Sequence, residues 1–245
     1  MSPALLEARG VAGGYAADDV IAEVDVAVAK REVVFLLGPN GAGKSTLLRA
    51  LSGTLARRSG AVELAGQSLA GLPPHRRARA GLVHVAEGRA TLIPSLTVRE
   101  HLDLVVGGTD ARRADIVERF PLLAERRDQR AGTLSGGQQQ LLAIALGLLA
   151  GPACLLIDEP SAGLSPLMVD AVFDVLSGLR DAGVAMLVAE QRVDLALRLA
   201  DRAYALEAGR VVAEGPVREL IDSGRLDASY LGVAPAASKR SNGGP

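Results

Sequence analysis

The chain has 245 residues, 49% of them hydrophobic and 22% charged, with a formal net charge of −1. That size suits one large domain or a core with an inserted subdomain, and the balance excludes a disordered chain. The basic surplus of a nucleic-acid binder is absent, although a local patch can hide within a neutral total.

The N-terminus, MSPALLEARG, lacks a basic segment followed by an apolar one, so no signal peptide is read. Residues 4–30 alternate with β-like spacing around Gly13-Gly14. EVVFLLG (32–38) is a short apolar run ending in glycine and reads as a buried strand. In STLLRAL (45–51), Leu47, Leu48 and Leu51 fall at helical spacing, and Gly53 offers a stop. Residues 92–150 are mostly helical in pattern and predict a separate helical lobe. LLAIALGLLAGPACLLI (141–157) is uncharged, at the short edge of membrane-spanning length. Gly151-Pro152 breaks it, so it reads as a buried helix, a turn and a buried strand.

CLLIDEP (154–160) and AMLVAEQ (185–191) predict parallel strands covered on both faces. Between them Ser165 can cap a helix, Pro166 suits its first turn, and Val172, Val175, Leu176 and Leu179 form one face before Gly183. YALEAGRVVAEG (204–215) reads as a hairpin turning at Ala208-Gly209. Together with 4–30 it predicts an antiparallel patch beside a parallel core. The expected organisation is one α/β domain over 1–233. The core and β subdomain take 1–86 and 151–233, the helical subdomain about 87–150, and 234–245 form a disordered tail. Cys154, the single cysteine, excludes an internal disulfide and a thiolate metal cluster, which fits a reducing compartment.

GPNGAGKS (38–45) fits the G-x-x-x-x-G-K-[ST] pattern of a P-loop. Gly38, Gly41 and Gly43 let backbone N–H groups turn inward and, with the helix start, cradle the β- and γ-phosphates. Lys44 would reach the terminal phosphates and Ser45 would bind Mg²⁺. The bland alternative is a Gly-rich turn, against which the strand–helix setting argues. In CLLIDEP, Asp158 can hold the metal's water shell, and Glu159 can orient or deprotonate an attacking water. Solvated loop carboxylates are the alternative for that pair. LSGGQ (134–138) supplies a second helix start with bare N–H groups at Ser135, Gly136 and Gly137. Two phosphate-binding devices in one chain are reconciled if two copies share each ATP, one giving its P-loop and the other its LSGGQ.

In this order and spacing the motifs resemble an ATP-binding-cassette ATPase, over residues 5 to about 233. The resemblance implies a P-loop NTPase with a RecA-like core, an antiparallel β subdomain and a helical subdomain. It implies ATP and Mg²⁺ as cofactors, with Gly38, Pro39, Asn40, Gly41, Ala42, Gly43, Lys44, Ser45 and Thr46 around the phosphates. Tyr15 would stack on adenine, its alternative being a half-buried strand tyrosine. Ser135, Gly136, Gly137 and Gln138 would complete the site, and SAGLSP (161–166) would link the two sites. The position usually held by a metal-approaching glutamine is Glu87, that of a phosphate-contacting histidine is Gln191, and Ser165 replaces a common aspartate. AEGR (86–89), DEPSAGLSP (158–166) and AEQRVDLALRLADRAYALEAGRVV (189–212) look like the second ATPase subunit of branched-chain amino-acid importers, where Glu and Gln at these positions are usual.

The expectation is therefore an ATP-hydrolysing importer subunit, with Glu159, Gln191 and Lys44 catalytic and Ser45, Asp158 and Glu87 at the metal. It would sit peripherally on the cytoplasmic face of the membrane. Its partners would be a second ATPase subunit, identical or different, membrane permeases and, indirectly, a solute-binding protein, without nucleic acid. An importer of urea or another small polar solute, and a soluble cassette acting on nucleic acid or ribosomes, are the alternatives. His75, His84 and His101 lack ligand-like spacing. His84 reads as core or partner-facing. Arg76, Arg77 and Arg79 read as a solvated turn, with lipid-headgroup or partner contact as the alternative. Arg126, Arg127 and Arg130 read as a solvated face.

Overall fold

Two β-rich stretches flank the first apolar run. In a computed structural model, which describes residues 4–15, 18–87 and 91–226, they become β1 (Ala4–Tyr15) and β2 (Asp18–Ala29). β1 pairs antiparallel with β2 on one side and with β4 (Arg57–Leu64) on the other; β5 (Gln67–Ser68) closes that sheet in the order β2-β1-β4-β5. Gly13 and Gly14 lie within β1 rather than at its turn, and a Cβ on Gly14 would stand 2.1 Å from the Asp18 carbonyl.

The second sheet holds β3 (Val33–Leu37), β6 (Leu82–Val85), β7 (Cys154–Asp158), β8 (Ala185–Glu190), β9 (Arg202–Glu207) and β10 (Arg210–Gly215), in the order β10-β9-β3-β8-β7-β6. β3 pairs parallel with both β8 and β9, and β7 parallel with both β6 and β8. Every residue of β3, β7 and β8 is buried. Alternation then divides them between two cores. Val33, Phe35, Leu37, Leu155, Ile157, Met186 and Val188 face the helical side. Val34, Leu36, Cys154, Leu156, Ala185 and Leu187 face α1 (Lys44–Ser52) and the antiparallel sheet.

The 204–215 hairpin forms as predicted but joins the other sheet. β9 continues the parallel ladder beside β3, and only β10 runs antiparallel. Its turn touches the antiparallel sheet through the Ala22 N–H, which donates to the Gly209 carbonyl at 3.0 Å.

The arginine cluster is also corrected. It lies on α2 (Pro74–Arg79), where Arg76 and Arg79 are exposed as expected but Arg77 is buried, because its guanidinium donates to the carbonyls of Ala50 and Leu51 at the end of α1. After β6 come α3 (Val98–Leu104), α4 (Asp110–Arg119), α5 (Pro121–Glu125), a 3-10 turn (Ala131–Thr133) and α6 (Gly136–Leu149). The 141–157 stretch resolves into the end of α6, a turn and β7. α7 (Pro166–Asp181) starts at Ser165, whose side chain makes no capping bond. α8 (Val193–Leu199) and α9 (Val217–Asp222) complete the described fold. The expected tail at 234–245 and Gly88-Arg89 lie outside the described residues.

Candidate functional site

In an open sheet the crevice beyond the carboxyl ends of the strands is where ligands bind. Here β3 ends at Leu37, β6 at Val85, β7 at Asp158 and β8 at Glu190. The segment after β3 turns through Gly41 (φ 81°) and Gly43 (φ 103°) before α1 begins at Lys44. A Cβ on Gly38 would meet the Leu206 carbonyl at 2.2 Å, so the loop depends on glycine for close approach as well as for its turn.

Lys44 is only 3% exposed. Its Nζ donates to the carbonyls of Gly38 (2.9 Å) and Pro39 (3.1 Å) and pairs with Glu159 Oε1 at 3.2 Å. Those bonds are what make a buried ammonium tolerable. Glu159 follows β7 with φ 42°, a left-handed conformation that costs a non-glycine residue about 1–2 kcal/mol. Its N–H donates to the Ala189 carbonyl at 3.0 Å, which holds the carboxylate over the loop.

Beside it the Ser45 hydroxyl donates to Asp158 Oδ1 at 2.9 Å. Asp158 is fully buried and its second oxygen has no partner among the described residues. Burial pushes its carboxyl up to about 6; the Ser45 bond opposes the shift, and the charges of Glu87 and Glu159 add to it. An orphaned buried carboxylate oxygen beside a hydroxyl is the hard-oxygen donor pair that Mg²⁺ takes, with phosphate and water filling the rest of its shell. The residues therefore fit a nucleotide-borne Mg²⁺.

A cavity of about 320 Å³ is lined by Val20, Asn40, Gly41, Gly43, Lys44, Ser45, Thr46, Glu87 and Glu159. It joins four segments that are separated in the chain: β2, the loop and start of α1 at 40–46, Glu87 just past the end of β6, and Glu159 after β7. Three other candidates lie away from it. Tyr15 is half-exposed, accepts a hydrogen bond from Arg49 Nη1 at 2.7 Å, and lines a separate groove with Arg49, Arg57 and His84. Gln191 is exposed and does not line the cavity. Neither do Ser135–Gln138, at the head of α6. There Ser135 Oγ accepts from the Gln138 N–H (3.4 Å) while Gln138 Oε1 accepts from the Ser135 N–H (3.0 Å), a capping box that satisfies both within the chain.

Sequence reasoning missed two contributors. Val20, on β2, forms one wall of the cavity, and only the folded antiparallel sheet brings it there. Glu190 is buried, and its carboxylate accepts from the N–H groups of Ser161 (3.2 Å), Gln191 (2.7 Å) and Arg192 (3.3 Å). It pins the two turns beside Glu159, and burial raises its pKa. A carboxylate ending the apolar run AMLVAE was the available signal.

A profile of the ABC transporter family matches residues 21–162. The chain belongs to that family. Among relatives of this ABC protein, the high-affinity branched-chain amino acid transport ATP-binding protein BraG of Pseudomonas aeruginosa is 42% identical over 225 residues, covering 89% of this chain and 95% of BraG. The lipopolysaccharide export system ATP-binding protein LptB of Haemophilus influenzae is 31% identical over 93% of this chain and 97% of its own. A nucleotide-free ATP-binding cassette from an ABC transporter superposes with a TM-score of 0.82 at 25% identity, covering 95% of this chain and all of the other. The fold is thus that of an ABC ATPase cassette, and the protein is an ATP-binding ATPase of the ABC transporter family. No helix among the described residues is long and apolar enough to cross a membrane.

Proposed function

We propose that this ABC ATPase powers a membrane importer whose cargo is branched-chain amino acids. The cargo rests on the likeness to BraG, at 42% identity against 31% for the LptB relative. The hydrolytic role rests on one observation above all. Lys44 and Glu159, from opposite ends of the motif series, meet at 3.2 Å in one cavity. A cation for the terminal phosphates and a carboxylate for the attacking water are the two charges that phosphoryl transfer to water requires.

In this reading Gly38–Thr46 wraps the phosphates and Lys44 leaves Glu159 for them. Glu159 then orients the water and accepts its proton. Ser45, Asp158 and Glu87 would hold the Mg²⁺, which would neutralise phosphate charge. Tyr15 stacks on adenine, and Gln191 hydrogen-bonds the departing phosphate once its turn closes. Ser135–Gln138 act on the ATP held by a second ATPase subunit, identical or different. Residues 1–233 work as one domain, with the helical part about 87–150. The assembly sits on the cytoplasmic face of the membrane, bound to permease subunits that receive cargo from a solute-binding protein.

The Glu159→Gln protein should bind ATP, accumulate as a dimer in sedimentation and lose turnover. Wild-type hydrolysis by that variant would remove Glu159 from the mechanism. For the cargo, vesicles that enclose ATP on the ATPase side and carry the co-purifying permease should take up leucine once the solute-binding protein is added outside. Uptake of urea and not leucine would transfer the protein to the alternative substrate class.

A further inference from the structure

At the end of α1 opposite the P-loop lies a cavity of about 270 Å³ lined by Arg58, Arg77, Ser59, Gly60, Gly71 and neighbours. α1 has nine residues, which puts this cavity about 13 Å from Lys44 along the helix. Arg77 is 4% exposed. Its Nε donates to the Leu72 carbonyl (3.2 Å) and its Nη1 to those of Leu51 (2.5 Å) and Ala50 (3.3 Å). The Leu72 carbonyl, ahead of α2, takes Nε, and capping α1 accounts for Nη1. Neither accounts for Nη2, which has no hydrogen-bond partner among the described residues, nor for the second guanidinium in the same cavity. Arg58 uses Nη1 on the Leu55 carbonyl and has no other bond there. The neighbouring Arg57 takes Asp19 at 2.8 Å, and neither Arg58 nor Arg77 has a carboxylate partner among the described residues. Burial and the facing charge of Arg58 both pull the Arg77 pKa down.

Two like charges that share a partly buried cavity repel, and an anion between them reverses the sign of that interaction. Two planar forks and a hydroxyl make three donor groups. They match three terminal phosphate oxygens better than the two of a carboxylate. We propose that this cavity is a binding site for a phosphate-type oxyanion, gripped by Arg58 and Arg77 with Ser59 at its rim. The phosphate could be free or the headgroup of an anionic lipid; the chemistry of recognition is the same.

The test uses the full-length protein with Lys44→Ala, so that the P-loop cannot supply the signal. Inorganic phosphate is titrated by calorimetry against sodium chloride at matched ionic strength, which removes general screening. Saturable binding should appear and weaken at least tenfold in Arg58→Ala, whose side chain is only part-buried. Arg77→Lys keeps a cation but not the fork and should weaken it several-fold. In a parallel arm, vesicles of phosphatidylcholine with phosphatidic acid are co-sedimented with the protein. Arg58-dependent sedimentation assigns the site to a lipid headgroup. Arg58-dependent calorimetry without sedimentation assigns it to free phosphate. Phosphate binding no stronger than chloride with no sedimentation, or binding indifferent to Arg58, overturns the proposal.

Discussion

At the residue scale two titratable groups that folding desolvates, Asp158 and the part-buried His84, carry opposite pH dependences. Asp158 sits at about 6 against an ordinary 3.8, because burial disfavours its charge. The native state therefore binds more protons than the unfolded one between those values, and this contribution to stability is lost as pH rises through them. The rise corresponds to on the order of 3 kcal/mol. His84 is pushed down to about 4 from 6.5, by burial first and by the charge of Arg49 second. Its contribution has the reverse sign, present above 6.5 and lost as pH falls through 4. Over the acid range the two largely cancel. Asp158→Asn removes one of them. The nucleotide-free variant should match wild type near pH 4 and melt about 5–10 °C higher near pH 7, while its ATPase activity disappears. Thermal melts of both proteins across pH check this; parallel curves would mean that the Asp158 carboxyl is not under the desolvation its burial implies. The hydrogen bond from Ser45 offsets part of that desolvation.

At the element scale the first turn of α6 is held both by its cap and by its packing. Ser135 and Gln138 cap it within the chain, and Gly137 packs so closely on α7 that a Cβ would stand 2.4 Å from the Met168 methyl. Ser135→Ala should therefore cost about 1 kcal/mol of stability from the lost cap. Gly137→Ala should cost about 1–3 kcal/mol from overpacking. Urea denaturation of the nucleotide-free protein separates the two. A neutral Gly137→Ala would show that α7 yields at Met168. Elements of this kind were legible because each carries its own local signal. CLLID and VVFLL are apolar without alternation, as strands covered on both faces must be, and Gly53 and Gly183 stand where helices stop. The P-loop and the Asp158-Glu159 pair were legible for the same reason. Partner choice was not. YALEA reads as a strand, but nothing in it says that β9 will pair with β3 rather than with β1. The arginines of α2 read as solvated because their charge is visible in sequence, and the α1 carbonyls that bury Arg77 are not. Val20 was missed because its role exists only after distant segments meet, whereas Glu190 left a signal, a carboxylate ending an apolar run, whose partner Ser161 the sequence does not show.

At the scale of the whole molecule, one feature of the chain is incomplete. The P-loop cradle and Glu159 line one cavity, while the head of α6, a second helix start that carries glycines, lies outside it. If a second copy's α6 completes each site, inactivating the two halves in different molecules must leave some sites whole. Lys44→Ala removes the cradle's cation. Ser135→Asp keeps a good helix cap but places a carboxylate where a terminal phosphate would approach, so it spares the fold while opposing the ligand. Each variant alone should hydrolyse ATP at least a hundredfold more slowly than wild type. In a mixed dimer, one site combines both defects and the other pairs an intact cradle with an intact α6. An equal mixture should therefore recover about a quarter of wild-type turnover, since half of randomly formed dimers are mixed and each has one working site. A steady-state ATPase assay on the mixture reads this directly. Activity no higher than that of the separate variants would rule out sharing of ATP between two copies of this chain, and the second subunit would have to be a different ATPase.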